Sequence, residues 1–137
     1  MFEIVNYPGH APSSKPLGPA PLSPALVGGD VLFISGQVGI DPDTAEIVGP
    51  SFPEQAHQAL KNVRSLVENA GFSMSDVVKV TIFLTRLEDF AELNAIYRQY
   101  FAEPYPTRST VGISLQPASL LIEIEGIAMR RNAGGRP

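Results

Sequence analysis

The sequence predicts an α+β fold in which two helices cover one face of a β-sheet. Two segments repeat apolar residues every three or four positions, as amphipathic helices do, and three segments alternate apolar and polar residues, as half-buried strands do. The predicted order is strand, strand, helix, strand, helix, strand, strand. Because the chain has 137 residues and is 44% hydrophobic, we expect one domain over residues 1–137 with a single core.

The first 24 residues are expected to form loop. Six prolines lie between residues 8 and 24, and proline lacks the amide hydrogen that a helix interior or a central strand requires. The β-branched and aromatic run VLFIS at 31–35 then predicts a strand that ends at Gly36. The turn-forming DPDT at 41–44 is expected to connect it to a second, short strand.

The first helix is predicted to begin after Ser51. The hydroxyl of Ser51 can accept from the first free amides, Pro53 suits the first turn, and Glu54 can reach back to the Ser51 amide. Gly71 is expected to end the helix in the left-handed conformation. The apolar side of this helix is formed by residues at spacings of three and four, namely Ala56, Leu60, Val63, Leu66, Val67 and Ala70.

A second helix is predicted from about Leu87 to Phe101, and Pro104 ends it. Its apolar side consists of Phe90, Leu93, Ile96, Tyr97, Tyr100 and Phe101. Between the two helices, VVKVTIFLT at 77–85 alternates like a strand with one dry face. That face is expected to carry the even positions Val78, Val80, Ile82 and Leu84.

The last two strands place charged residues among apolar ones. In RSTVGISL at 108–115 the even positions are polar, which predicts Arg108 on the polar face of its strand. In LLIEIEGIAM at 120–129 the even positions are apolar, so Glu123 and Glu125 belong to the opposite face. That second face also carries Phe83, Leu121, Ile127 and Met129. Exposed apolar surface costs about 25 cal/mol per Å², so we expect a homo-oligomer with clefts between subunits.

Composition disfavours several classes of protein. The net charge is −4 and the basic residues are scattered except at the C-terminal end, so no nucleic-acid partner is expected. The absence of cysteine excludes disulfides and thiolate chemistry. His10 and His57 have no second ligand at metal spacing, and we expect no metal. Without a long apolar run or a signal-like N-terminus, a cytoplasmic protein without membrane contact is expected.

Four blocks of the chain stand in a distinctive order: FISGQVGIDPDTAEIVG, LKNVRSLVENAGFSMSDVVKVTIFLTRLEDFAELNAIYRQYF, PTRSTV and IEIEGIAMRR. This set, from about Leu17 to Arg131, resembles the reactive intermediate deaminase family, also called Rid or YjgF-like. The resemblance implies a chorismate-mutase-like α+β fold and a homotrimer with three sites in the interfaces between subunits. It also implies that the last two strands are separated in the sheet and do not form a hairpin. Residues 132–137 are expected to be a flexible tail.

The resemblance further implies an activity and a set of site residues. The best-known branch hydrolyses 2-imino acids, or their enamine tautomers, to 2-keto acids and ammonium without a cofactor. The arginine of the family's P-x-R-S block falls on Arg108, which would bind the substrate carboxylate. The first acid of its I-E-I-E block falls on Glu123, which would orient water. The serine of its S-G-Q block falls on Ser35, with Gly36 beside it.

The sequence departs from the family pattern in two places that would shape the substrate pocket. Leu22 is the best match to the aromatic residue, usually tyrosine, that closes over the substrate in many members. Thr110 and Gly112 stand where deaminating members tend to have a cysteine and a glutamate. The predicted substrate-binding set is therefore Arg108, Ser35, Gly36, Leu22 and Thr110, with Arg108 and Glu123 catalytic.

The chemistry of these side chains is also compatible with other roles for the charged residues and other functions for the pocket. An arginine at the start of a strand is most often exposed or paired with an acid, and either glutamate of the last strand could be a solvated face residue. The pocket could be a non-catalytic binding module for keto acids, or it could hydrolyse a different enamine in a catabolic pathway. Ribonuclease activity, attributed to some relatives, is disfavoured by the acidic charge balance.

Overall fold

The computed structural model describes residues 1–130. The predicted tail at 132–137, and Arg131 of the last block, lie outside these residues. The strands are β1 (Glu3–Val5), β2 (Ala25–Gly28), β3 (Val31–Val38), β4 (Ile40–Asp41), β5 (Glu46–Ile47), β6 (Val77–Leu84), β7 (Thr107–Gly112) and β8 (Ile122–Met129). The helices are α1 (Phe52–Asn69) and α2 (Phe90–Tyr97). A short 3₁₀ turn at Met74–Asp76 leads into β6, and another at Leu87–Asp89 leads into α2.

Six strands form one mixed sheet in the order β1-β2-β3-β8-β6-β7. All neighbouring strands are antiparallel except β6 and β7, which are parallel. β4 and β5 form a separate two-stranded ribbon. The α+β prediction is confirmed, and so is the separation of the last two strands, because β6 lies between β7 and β8.

The N-terminal segment is mostly loop, as the prolines predict. Between residues 8 and 24 there is no helix or strand, but β1 lies inside the segment that was expected to be loop throughout. The prolines begin only at Pro8, so Glu3–Val5 keeps all its amides and pairs with β2. β2 itself is a strand that the sequence patterns did not predict.

Helix α1 begins and ends as predicted. Ser51 accepts from the Glu54 amide and the Glu54 side chain accepts from the Ser51 amide, which completes a capping box. Gly71 has φ +84°, the left-handed conformation that glycine adopts without strain. Leu60, Leu66 and Val67 are fully buried on the sheet.

Helix α2 is shorter than predicted. It covers Phe90–Tyr97, whereas residues 98–101 continue as turns in which the amides of Gln99 and Tyr100 bond three residues back. Leu93, Ile96, Tyr97 and Phe101 are nevertheless buried, but Phe90 remains largely exposed. Apolar spacing therefore identified the buried side and overestimated the length of regular helix.

A bulge changes which residues of β6 face the core. Val80, Ile82 and Leu84 are buried as predicted, but Val78 is 40% exposed and Val77 only 4%. The register of β6 against β8 shifts between Val77 and Lys79, and one extra residue reverses the alternation beyond it. The prediction that Val78 lies on the dry face is therefore wrong.

Two assignments of residues to sheet faces are also corrected. Leu121 was expected on the second face, but it precedes β8 and is buried, and its amide donates to Gln55 Oε1 at 2.8 Å. The polar positions of β7 are on the side of the helices, since Arg108 and Thr110 are in register with Val80 and Ile82. β7 is an edge strand, so its apolar positions are not forced into the core.

The second face of the sheet keeps apolar residues at its surface. Phe33 is 46% exposed and Met129 51% exposed, and Val111 is also exposed. Phe33 pairs with Ile127 of β8, and Val111 pairs with Phe83 of β6. Both helices pack on the opposite side, against the buried cluster that contains Ile82, Ile122 and Ile124.

Candidate functional site

Glu123 lies on the second face of the sheet, where the bulge of β3 makes room for it. It is in register with Val38 on one side and Phe83 on the other. The register of β3 shifts between Ile34 and Gln37, and Gly36 lies within this bulge. A Cβ at Gly36 would collide with the Glu123 carboxylate. The carboxylate therefore occupies the space that the missing side chain leaves.

Burial raises the pKa of Glu123 above the ordinary value of a glutamate, and the neighbouring Glu125 raises it further. Removing a carboxylate from water disfavours its charged form, and a like charge nearby acts in the same direction. Glu123 is thus shifted toward the pH range in which a carboxylate can both accept and release a proton.

A cavity of about 390 Å³ opens beside Glu123, between the proline-rich loop and the sheet. Gly36 and Leu22, two residues that the family resemblance places in the substrate pocket, line it. Lys15 lines it as well and donates to the Leu22 carbonyl at 3.2 Å. Sequence reasoning did not identify Lys15, because a lone lysine in a proline-rich loop gives no signal of its own.

The base of this cavity is a hydrogen-bonded chain that the sequence also did not reveal. The Tyr7 hydroxyl donates to Gln37 Oε1 at 2.7 Å, and Gln37 Nε2 donates to the Ser35 carbonyl at 3.0 Å. Burial raises the pKa of Tyr7, while the bond to Gln37 lowers it. These bonds hold the backbone of the β3 bulge, and with it the position of Gly36.

Ser35 is not among the residues that line the cavity, although its neighbour Gly36 is, and its hydroxyl already has an acceptor. Ser35 Oγ donates to the Ser23 carbonyl at 2.6 Å, and its amide donates to the Pro24 carbonyl at 2.9 Å. Both bonds attach the proline-rich loop to β3 beside Leu22. The Ser35 hydroxyl can therefore accept a hydrogen bond from a ligand, but its proton is used to hold the loop.

Arg108 lies on the other side of the sheet, against helix α2. Its Nε donates to Thr110 Oγ1 at 2.9 Å and its Nη2 donates to Asn94 Oδ1 at 2.7 Å. The guanidinium carbon lies 4.8 Å from the ring centre of Tyr97 and 5.6 Å from that of Phe90. Burial lowers the pKa of Arg108, and Tyr97 opposes that shift. Thr110 thus orients Arg108, a role that its side chain can fill without touching a ligand.

A second cavity, of about 220 Å³, opens beside this arginine. Asn94, Tyr97, Arg98, Tyr105, Pro106 and Arg108 line it. Within one protomer the predicted site residues are therefore divided: Glu123, Gly36 and Leu22 share the larger cavity, whereas Arg108 shares the smaller one with groups of α2. The strand β6 separates the two strands that carry Glu123 and Arg108.

Neither histidine contributes to either cavity. His10 bonds to Asp43 at 3.1 Å, and His57 bonds to the Tyr100 hydroxyl at 2.8 Å. Among residues 1–130, no three His, Cys, Asp or Glu side chains are grouped so that they could hold a metal ion. Over the same residues, no helix is long and apolar enough to cross a membrane.

The fold and the two cavities define a small α+β protein with a carboxylate on one side of its sheet and a partly buried guanidinium on the other. A model of the family described as Endoribonuclease L-PSP matches residues 12–130. A RutC family protein of Pyrococcus horikoshii is 46% identical over 130 residues, which is 95% of this chain and 99% of that protein. The chain belongs to this family, the reactive intermediate deaminase or YjgF-like family.

Two further relatives bear on chemistry. The chain is 40% identical over 119 residues to a 2-iminobutanoate/2-iminopropanoate deaminase of Dermatophagoides farinae, which covers 85% of this chain and 93% of that protein. It is also similar to the crystal structure of E. coli TdcF with bound serine, with a TM-score of 0.78 and 36% identity. That comparison covers 94% of this chain and 99% of the TdcF chain.

Proposed function

We propose that the protein hydrolyses small 2-imino acids, or their enamine tautomers, to 2-keto acids and ammonium at sites between the subunits of a homotrimer. One observation carries this proposal: Arg108 and Glu123 of a single protomer face opposite sides of the sheet and line separate cavities. A site that uses both groups therefore needs Arg108 from one copy and Glu123 from another.

The surfaces around the two residues support such an assembly. β7, which carries Arg108, is the edge strand of the sheet, and the face that carries Glu123 exposes Phe33, Val111 and Met129. Exposed apolar surface of this kind is commonly buried in an interface between subunits. A neighbouring copy would cover it and bring a β7 edge toward the cavity beside Glu123.

The proposed chemistry divides between the two groups. Arg108 keeps Nη1 and one hydrogen of Nη2 free of the bonds to Thr110 and Asn94, so it can bind a carboxylate through the end of its guanidinium. Glu123 would take a proton from water as the oxygen adds to the C=N carbon. Glu123 would pass this proton to the nitrogen, which gives a carbinolamine. It would then move the hydroxyl proton to the amino group as the C–N bond breaks, so that ammonia leaves and the carbonyl forms. This hydrolysis balances without electron transfer.

Binding and acid-base action both contribute to the rate in this scheme. Holding the imino carbon beside an oriented water removes much of the entropic cost of the encounter. The raised pKa of Glu123 suits proton transfer near neutral pH. The names of the relatives agree with this chemistry: one is an imino-acid deaminase, and the TdcF structure holds serine, an amino acid with a carboxylate.

A second candidate function is a binding module that holds a keto acid without turnover. It is favoured by Leu22, Thr110 and Gly112, which stand where the family resemblance implies an aromatic residue, a cysteine and a glutamate. The same differences would fit a deaminase for another enamine in a catabolic pathway. The family description also names an endoribonuclease, but a net charge of −4 disfavours RNA binding.

A coupled assay tests the main proposal. A dehydratase generates 2-aminoacrylate or 2-aminocrotonate, and keto-acid formation is followed with wild type, Arg108→Ala and Glu123→Gln. Arg64→Ala and Glu68→Gln are matched controls, because Arg64 lies over the Tyr100 ring and Glu68 is an exposed residue of α1 outside both cavities. We expect acceleration by wild type and both controls, and little by the two site variants.

The alternatives give different results. If wild type forms keto acid no faster than buffer, the deaminase proposal fails. Saturable binding of 2-oxobutanoate by calorimetry would then favour the binding module. RNA cleavage that survives Arg108→Ala and falls steeply with salt would favour a ribonuclease. Light scattering on a sizing column should give three times the 14.7 kDa of one chain, and a stable monomer would contradict the proposed site.

A further inference from the structure

The cavity beside Arg108 contains a buried polar group that the proposed mechanism does not use. Tyr97 is 4% exposed, and its hydroxyl oxygen is buried without a hydrogen-bond partner among residues 1–130. Tyrosine hydroxyls that are buried usually have a partner, because an unmade bond leaves the cost of desolvation uncompensated. Because Tyr97 also lines a cavity, a ligand in that cavity is the group that would supply the missing partner.

Tyr97 is one of the residues that line this cavity. Arg108 and Tyr105 are the charged and titratable neighbours that act on its pKa, and both line the cavity with it. Burial raises the pKa of Tyr97 to about 12. The phenol is therefore a neutral hydroxyl across the physiological range and can donate a hydrogen bond to an anion.

The hydrogen bonds of Arg108 explain why a second donor would be useful. Its Nε is used by Thr110 and one hydrogen of Nη2 by Asn94, so the side of the guanidinium that includes Nε cannot form a two-bond fork with a carboxylate. A carboxylate bound at the free end keeps acceptor positions that the guanidinium does not fill. The Tyr97 hydroxyl belongs to a residue that lines the same cavity and could fill one of them.

We propose that the Tyr97 hydroxyl donates a hydrogen bond to the carboxylate that Arg108 binds, so that guanidinium and phenol together recognise small 2-keto and 2-imino acids. This inference rests on the proposed function. The hydroxyl is covered in the ligand-free fold, so a side chain of the cavity wall must shift when the acid enters. Tyr105 is exposed and lines the cavity, so its side chain can shift without disturbing the buried core.

The experiment compares Tyr97→Phe with Tyr100→Phe, which removes the same atom from a neighbouring tyrosine. The Tyr100 hydroxyl bonds to His57 at 2.8 Å and lies outside the cavity. We expect Tyr97→Phe to bind 2-oxobutanoate about tenfold more weakly by calorimetry, the loss of one hydrogen bond to a charged group. Its melting temperature without ligand should be unchanged or higher. Tyr100→Phe should bind as wild type and melt lower.

Turnover supplies a second readout. A bond to the carboxylate is made equally in the ground state and the transition state, so Tyr97→Phe should raise KM and preserve kcat. A structural role would instead lower the melting temperature and leave affinity unchanged, and that result would overturn the inference.

Arg108→Ala separates this inference from the proposed function. If Arg108→Ala abolishes binding and Tyr97→Phe does not weaken it, the inference alone fails. If Arg108→Ala binds 2-oxobutanoate as wild type does, both fail. If wild type does not bind it at all, this inference fails, and the coupled assay still decides the proposed function.

Discussion

Mixing two inactive variants tests whether one site takes residues from two copies of the chain. Arg108→Ala supplies an intact Glu123 and Glu123→Gln supplies an intact Arg108. In the proposed trimer each site joins Arg108 of one protomer to Glu123 of the next. If the two variants are mixed in equal amounts and reassembled at random, about a quarter of the sites regain both groups.

The single variants must be nearly inactive for this test to be clear. Arg108→Ala removes up to two charge-assisted hydrogen bonds to the substrate, at roughly 1.5–3 kcal/mol each, which corresponds to a loss of about 10²–10⁴ in kcat/KM. Loss of a general base costs a similar factor of about 10²–10⁴. A recovered activity of about a quarter of wild type therefore stands far above either background.

The assay is keto-acid formation from dehydratase-generated 2-aminocrotonate, after the variants are unfolded together and refolded. One variant carries an affinity tag, so that mixed assemblies can be isolated and random exchange verified. A second mixture, of wild type with the double variant, should retain about a quarter of wild-type specific activity if sites are shared, but about half if each protomer has its own complete site. No recovery in verified mixtures of the single variants would refute the shared site.

Three further predictions concern the site and its support. Gly36→Ala should reduce kcat/KM to a level near that of Glu123→Gln, because a Cβ collides with the Glu123 carboxylate; the coupled assay measures it. Glu123→Gln should stabilise the protein at neutral pH. The pKa of Glu123 is raised in the folded state, so the free energy of unfolding of wild type falls as the pH rises from below the ordinary glutamate pKa through the raised pKa, whereas glutamine does not titrate. Urea unfolding at both ends of that pH range measures the difference. Gln55→Ala should lower the free energy of unfolding by about 3–5 kcal/mol, because it leaves the buried Leu121 amide without its acceptor, and the Gly49 and Ser119 carbonyls without their donor.

Each of these predictions has a matched comparison. Gly29 has open space around its Cβ position but φ +59°, so Gly29→Asn tests a glycine replacement remote from the site and should preserve activity. Full activity of Gly36→Ala would contradict the packing of Glu123. A stability difference between wild type and Glu123→Gln that is independent of pH would contradict the raised pKa. Gln58→Ala loses the hydrogen bond from Gln58 Nε2 to Asn62 Oδ1, and its free energy of unfolding should fall far less than that of Gln55→Ala.

Patterns within one element predicted the fold well. The capping box at Ser51, the glycine stop at Gly71 and the apolar spacing of α1 all depend on residues within one or two turns of each other, and all are found. The faces of Glu123 and Glu125 were likewise correct, because β8 runs without a bulge between Ile122 and Ile124. Structure was predicted correctly where the contacts that determine it join residues close together in the sequence.

The failures occur where register between strands decides the outcome. The bulges at Ile34/Gln37 and Val77/Lys79 arise from pairing with β8, which lies far away in sequence, and no alternation within one strand reveals them. The side of the sheet on which Arg108 lies also depends on the parallel pairing of β7 with β6. The Tyr97 cavity was missed for a similar reason. On the helix, Tyr97 has the spacing of a core residue, and only the tertiary structure shows that its hydroxyl has no hydrogen-bond partner among residues 1–130.

The division of the site follows from the physics of a single sheet. A strand sends alternate side chains to opposite faces, and helices α1 and α2 fill one of these faces with the core. A charged group on the helix side can remain only at the edge of the sheet. There Arg108 donates hydrogen bonds to Thr110 and Asn94 and packs on aromatic rings, and these contacts compensate its partial burial. A carboxylate that shares the open face with apolar residues, as Glu123 does, needs space made by Gly36. Since the sheet itself separates them, the two charges can act on one small molecule only where the edge of one sheet meets the open face of another.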